Sequence, residues 1–213
     1  MTTKLPKERL IALCQWLGVG TLVGLACGGA SALFLWLLER ATAFRGQHEW
    51  LVWLLPVAGL ALGLVQERIG GPVKAGTSLV IDTIHDDGPE IPLRMAPLVL
   101  GGTVLTHLFG GSAGREGTAV QMGASLTDFL AHRLGVGKRL RRQLLAAGVA
   151  GGFASVFGTP IAGTVFGLEF VVTGAIEYEA LVPALWASVV GDMTTRRLGI
   201  EHTAYRAAPR VEL

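Results

Sequence analysis

The chain has 213 residues, of which 51% are hydrophobic and 16% charged, with a mean hydropathy of +0.51 and a formal net charge of +2. A soluble domain usually carries about 25% charged residues, so the balance argues against a water-soluble domain and for a polytopic membrane protein. The small net charge leaves no basic footprint for nucleic acid, and 30 glycines with only 7% aromatics suit closely packed transmembrane helices.

The first apolar run, Leu10 to Leu38, exceeds the roughly 20 residues that a span requires. It predicts one long, tilted helix closed by Glu39, Arg40 and Arg45. The run is too long for the apolar part of a cleavable signal peptide. Cys14 and Cys27, both inside it, read as small buried fillers with no disulfide or metal spacing. Lys4, Lys7 and Arg9 precede it and place residues 1–9 on the cytoplasmic side. Trp50 opens a second span, "LVWLLPVAGLALGLV", closed by Glu67 and Arg68, in which Pro56 either kinks the helix or begins its regular part.

Residues 70–92 are mixed and predict a loop, a helix too short to span, and another loop. Leu93 to Phe109 reads as a third span, followed by the glycine-rich "GGSAGREG" and an apolar-periodic segment from Glu116 to Leu130. "GVGKRLRRQ" reads as a basic connector, and Leu144 to Phe157 is apolar. Thr159 and Pro160 supply an N-cap and a first-turn proline for a helix reaching about Thr173. A last helix follows Pro183 and ends near Asp192, Arg196 and Arg197, which leaves residues 10–195 as the transmembrane region and 196–213 as a polar tail. Short apolar pieces broken by Gly and Pro are tolerated at membrane depth only where they are buried or line a polar cavity, and in transporters such breaks mark the substrate site.

Gly20, Gly24 and Gly28 share one helical face, and the pairs Gly148/Gly152 and Gly163/Gly167 repeat the spacing. Such ridges serve either a dimerisation face or close packing within one subunit, and packing is the commoner use. "GGSAG" matches G-x-S-x-G, but a nucleophile elbow needs a preceding strand and the residues before it read as a helix. A serine hydrolase at Ser112, with His107, His132 or His202 as base, is therefore the distant alternative.

Glu116 carries more weight, because an ionisable residue within a membrane segment costs about 2.5–3.5 kcal/mol on insertion scales and is functional by default. It stands at a helix start, where free N–H groups and the positive dipole end favour negative charge. Gly110, Gly111, Gly114 and Gly117 allow close backbone approach, and a site that accepts a carboxylate there also accepts a small anion. Helix starts at Thr159–Pro160 and at Gly76, Thr77 and Ser78 extend the same logic, giving three N-termini that could build an anion site from dipoles and hydroxyls. No cofactor and no metal site is expected.

"GREG" at 114–117 after "GGSA", followed by "GGFASVFGTPIAGTVFGLEF" at 151–170, closely resembles the CLC family of chloride channels and anion–proton antiporters. The resemblance implies an all-α bundle of tilted and broken transmembrane helices, one half of an inverted-repeat architecture. It implies Glu116 as the gating, proton-linked carboxylate. Gly76, Thr77, Ser78, Gly114, Arg115, Gly117 and Thr118 would line the anion pathway. The partners it implies are a halide, fluoride or chloride, protons, the lipid bilayer, a homodimeric mate and a second CLC half; the setting it implies is the bacterial inner membrane. Thr118 replaces a common proline, "GTSLV" replaces a Ser-Gly-Ile-Pro loop, and Phe170 falls where chloride antiporters carry a proton-transfer glutamate, with Glu169 its neighbour. These departures resemble the fluoride/proton antiporter branch. A chloride channel of the family and a transport-inactive truncated half are the alternatives.

Overall fold

The computed structural model describes residues 7–85, 88–171 and 178–202, with side chains from Gln15 onward except at residue 171. Most of the expected N-terminal segment, the tail beyond residue 202, the Cys14 side chain and the expected helix end at Thr173 lie outside the described residues. Those described form eight α-helices: α1 (Lys7–Gln47), α2 (Leu55–Val65), α3 (Thr77–His85), α4 (Met95–Leu108), α5 (Arg115–Arg133), α6 (Lys138–Phe157), α7 (Pro160–Val171) and α8 (Leu181–Arg197). No strand occurs among them, so the all-α expectation holds.

Three expected boundaries are corrected. Glu39 and Arg40 do not end the first helix, because both side chains point outward and Arg40 lies over the Trp36 ring at 5.3 Å. α1 continues to Gln47, about 60 Å at roughly 1.5 Å per residue. The third span is instead α4, 14 residues long and too short for a bilayer core of about 30 Å; the Pro92 turn precedes it and the glycine-rich link follows. The "basic connector" is the first turns of α6, since Lys, Arg and Gln are good helix formers and Arg139 and Arg141 find carboxylate partners.

Two stretches are long and apolar enough to cross a membrane, Gln15–Gln47 and Glu49–His85. The second is broken: a 3₁₀ turn (Glu49–Leu54) precedes α2, and a π turn (Gln66–Gly70) and a 3₁₀ turn (Gly71–Ala75) lead into α3. Pro56 sits in the first turn of α2, so it begins the regular helix and does not kink it. α2 buries none of its side chains; Val57 and Leu60 face outward, as does Trp53 just ahead of it. Large apolar groups turned outward are the pattern of a helix that meets lipid or a partner, not water.

Glycine ridges set how the bundle packs. Added Cβ atoms at Gly20, Gly24 and Gly28 would meet Trp186, Val190 and the Gly191 carbonyl in turn, so α1 and α8 run parallel in close contact. Gly151 faces Ala187 and Gly191 faces Ser155, which sets α6 parallel to α8. Gly123 abuts Gly148, and Gly152 abuts Ala119, so α5 runs antiparallel to α6; Gly163 and Gly167 pack on Ala154 and Ala150 of α6 in the same sense. The ridges thus serve packing within the subunit. Around them sit two apolar clusters, one including Val23, Val80, Val120, Leu145 and Val149, the other Phe34, Leu38 and Met122.

Candidate functional site

The site begins where α4 stops. Gly110 adopts φ +80°, a left-handed conformation that side-chain-bearing residues rarely adopt, and the N–H groups of Gly110 and Gly111 close onto the carbonyls of His107 and Thr106. The chain then runs extended to Gly114, whose φ −67° and ψ 137° make it the N-cap of α5. With no side chain at the cap, the N–H groups of the first turn stay open. Glu116 is exposed, and its Oε2 lies 3.0 Å from where a Cβ on Gly114 would sit. The carboxylate therefore folds back over the start of its own helix, where the dipole favours it.

Beside this turn lies a cavity of about 720 Å³ between α2, α4, α5 and the turn before α3, walled by Lys74, Gly76, Thr103, Gly117, Thr118 and Gln121 among others. Gly76 reverses the chain with φ +58° and ψ −130°, and Thr77 starts α3 immediately after it. The Gln121 amide donates to Thr77 Oγ1 at 3.1 Å. Cβ atoms added at Gly76 or Gly117 would each lie 3.7 Å from the same Gln121 nitrogen. One side chain therefore touches the starts of both α3 and α5. Thr118 is buried, its hydroxyl 2.7 Å from that of Thr103 and 3.3 Å from the Gly114 carbonyl. The Lys74 amino group, the cavity's cation, bonds Glu67 at 2.6 Å.

The structure brings Gly76, Gly114, Gly117 and Thr118 onto this cavity, with Thr77 tied to its wall through Gln121. Ser78 is exposed and does not line it. Arg115 turns elsewhere, into a separate cavity of about 670 Å³ with Glu39, Glu201 and His202, so it is not the ion-pair partner of Glu116. The third helix start, at Thr159–Pro160, does not reach this cavity, because α7 folds back along α6 and Gly158 packs on His202. Two helix starts converge where three were expected.

Ser112 follows a helix and not a strand, while His107 and His132 turn ring nitrogens to the carbonyls of Thr103 and Asp128 in their own helices. Among the described residues no histidine hydrogen-bonds the Ser112 hydroxyl, and the strand that a nucleophile elbow needs is absent before it. Phe170 packs in line with Phe166, ring centroids 5.6 Å apart. Beyond the bundle, burial lowers the pKa of His202 and a hydrogen bond from Arg139 lowers that of Glu179.

One feature escaped the sequence reading altogether. Asp128 is fully buried on α5, and Arg141 of α6 grips both its oxygens, Nε at 2.6 Å and Nη2 at 2.8 Å. The Ile91 N–H donates to the same carboxylate at 2.7 Å, and Arg141 also reaches the carbonyls of Gly88 and Pro89. This cluster ties the loop between α3 and α4 to the bundle, and so fixes the rear of α3.

Residues 58–212 match the family described as voltage gated chloride channel. The chain is 52% identical over 193 residues to the chloride/fluoride channel protein of Pseudomonas syringae pv. tomato, covering 91% of this chain and 43% of that protein. Among solved structures it is similar to a CLC-type fluoride/proton antiporter, with a TM-score of 0.88 and 36% identity over 99% of this chain and 52% of that one. A slow cyanobacterial Cl⁻/H⁺ antiporter shares the fold, with a TM-score of 0.63 and 22% identity over 87% of this chain and 47% of that one. The chain spans about half the length of these relatives. Its GREG turn, its broken membrane helices and these matches agree: the chain belongs to the CLC family, integral membrane channels and transporters rather than enzymes.

Proposed function

We propose that the protein carrying this chain transports halide across the bacterial inner membrane, exporting fluoride in exchange for protons, with Glu116 as the carboxylate that links the two. The observation that carries this reading is the Glu116 carboxylate folded over the first turn of α5, beside a cavity onto which the start of α3 also opens. A carboxylate there occupies a place made for an anion. Protonating it removes the charge that competes with the halide, so one group takes part in both movements. Fluoride is favoured by Thr118 and "GTSLV", by Phe170 in place of a proton-carrying carboxylate, and by two similar proteins whose names include fluoride. The pathway is completed by a second CLC half, and two such subunits form a homodimer.

The test is efflux from liposomes containing the whole protein, read with fluoride- and chloride-selective electrodes together with a pH probe. Glu116→Gln should abolish proton coupling and change fluoride flux at least tenfold. Unchanged flux and coupling would remove Glu116 from the gate. Chloride flux without any proton movement in the unaltered protein would instead support a chloride channel.

A further inference from the structure

We infer that Gln121 determines anion preference by fixing which way the Thr77 hydroxyl points; this rests on the halide reading above and extends it to a residue with no assigned role. A threonine hydroxyl has one hydrogen to give and two lone pairs to accept with. The Gln121 Nε2 donates to Thr77 Oγ1 at 3.1 Å, so Thr77 accepts on that side and its own hydrogen must point elsewhere.

Most threonines in this bundle spend that hydrogen on their own helix. Thr83, Thr106 and Thr164 each donate to the carbonyl four residues back, at 2.7 Å. Thr77 is the first residue of α3, and the chain reversal at Gly76 comes between it and the preceding turn, whose Val73 carbonyl already accepts the Gly76 N–H. In the cavity itself, the Thr103 and Thr118 hydroxyls lie 2.7 Å apart and bond each other, with either able to donate, and Thr118 also reaches the Gly114 carbonyl at 3.3 Å, so this pair is engaged within the protein. The Thr77 hydroxyl, by contrast, accepts from Gln121 and has no acceptor for its own hydrogen among the described residues, which leaves that hydrogen for a ligand.

The Gln121 amide also lies beside both glycines at the helix starts, 3.7 Å from where a Cβ would sit on Gly76 or Gly117. It therefore holds the Thr77 donor at a set place relative to the first turn of α5. A single aimed O–H beside open N–H groups favours the anion that accepts hydrogen bonds most strongly. Hydrogen bonds to charged groups shorten and strengthen, and a small ion gains more because Coulomb energy grows as the separation falls. A hydroxyl free to rotate would lose that discrimination.

The experiment measures fluoride and chloride efflux from liposomes with the whole protein and with Thr77→Val, Gln121→Met, Gln121→Glu and the double variant Thr77→Val/Gln121→Met. Each variant is first checked for a monodisperse elution profile. Thr77→Val should lower fluoride flux relative to chloride about tenfold, the order expected for one hydrogen bond to an ion. Gln121→Met should reproduce most of that loss in the fluoride-to-chloride ratio. Gln121→Glu, nearly the same shape, should be at least as damaging, because its carboxylate takes the Thr77 hydrogen. The double variant should be no worse than Thr77→Val alone, since Gln121 acts through that hydroxyl; a general packing role would make the losses add. If Thr77→Val lowers fluoride preference but both Gln121 variants keep it, the inference fails and the halide site stands. Unchanged preference in Thr77→Val overturns the site and the inference together. Should Gln121→Met not elute as a single species, the isosteric Gln121→Glu decides alone: retained fluoride preference overturns the inference.

Discussion

Two regions of this subunit use glycine in opposite ways. In the bundle of α1, α5, α6 and α8, glycines lie inside unbroken helices and bring backbones into contact; an added Cβ at Gly24 would come within 2.7 Å of Val190, and one at Gly28 within 2.6 Å of the Gly191 carbonyl. Around the cavity, by contrast, Gly71, Gly76 and Gly110 break helices. All three have positive φ, α3 has nine residues and α4 fourteen. The first arrangement makes a dry scaffold held by close packing. The second leaves backbone groups unpaired beside a cavity, which lipid would not tolerate unless they serve a polar path. Rigidity and a site are thus made from the same residue, and the difference lies in whether the helix continues through it.

The largest test of that division lies at its seam. Asp128, fully buried, joins the bundle to the loop behind α3 through Arg141 and the Ile91 N–H. Removing one partner of a buried pair strands the other, at a cost of about 3–5 kcal/mol. Asp128→Ala should therefore lower the detergent unfolding midpoint more than any other single change considered for this subunit. Because α3 loses its rear anchor, the remaining folded protein should also bind fluoride more weakly. An unfolding midpoint within a degree of the unaltered protein would show that the seam is held by other contacts.

A smaller effect separates the two uses of glycine directly. A Cβ at Gly123 collides with the Gly148 carbonyl, where backbone faces backbone and neither can yield, whereas Gly101 and Gly102 of α4 have open space around them. Gly123→Ala should destabilise by roughly 1–3 kcal/mol, the usual cost of overpacking. Gly102→Ala should be neutral or slightly stabilising, since alanine is the better helix former. Thermal unfolding of the two variants side by side would read the difference, and equal midpoints would mean that the α5–α6 contact is looser than its geometry.

The same division explains what the sequence made legible. Breaks by Gly and Pro announced α3 and the turn before Glu116, because those signals are local, while Pro56 left a kink and a helix start equally open until α2 showed the start. The small-residue ridges announced packing for the same reason. Gln121 was invisible: a lone glutamine within an amphipathic helix looks like any polar position, and its partner Thr77 is 44 residues away. Asp128 and Arg141 were hidden differently. Reading "GVGKRLRRQ" as a connector put Arg141 outside any helix, while the helix really begins at Lys138. Arg115 and Glu116 are adjacent in the sequence, yet Arg115 opens onto a different cavity. Periodicity fixes which residues share a helix, but not where a side chain at its first turn points.

The smallest expected effect concerns the cap itself. Gly114 is exposed and extended, so alanine fits its backbone without strain. An added methyl nevertheless sits 3.0 Å from Glu116 Oε2, and the end of that flexible side chain is what must move. Pushing a carboxylate off its preferred rotamer costs about 0.5–1.5 kcal/mol, which changes the balance between the folded-back and displaced positions roughly twofold to tenfold. If the folded-back carboxylate excludes the anion, Gly114→Ala should raise fluoride flux by about that factor and loosen proton coupling, with the unfolding midpoint unchanged. A fall in flux at unaltered stability would mean that the folded-back position is the conducting one, and that the methyl blocks the path. Since the change leaves both helices in place and adds only a methyl at the cavity wall beside Glu116, either outcome reports on the cap and its carboxylate and not on the scaffold that presents them.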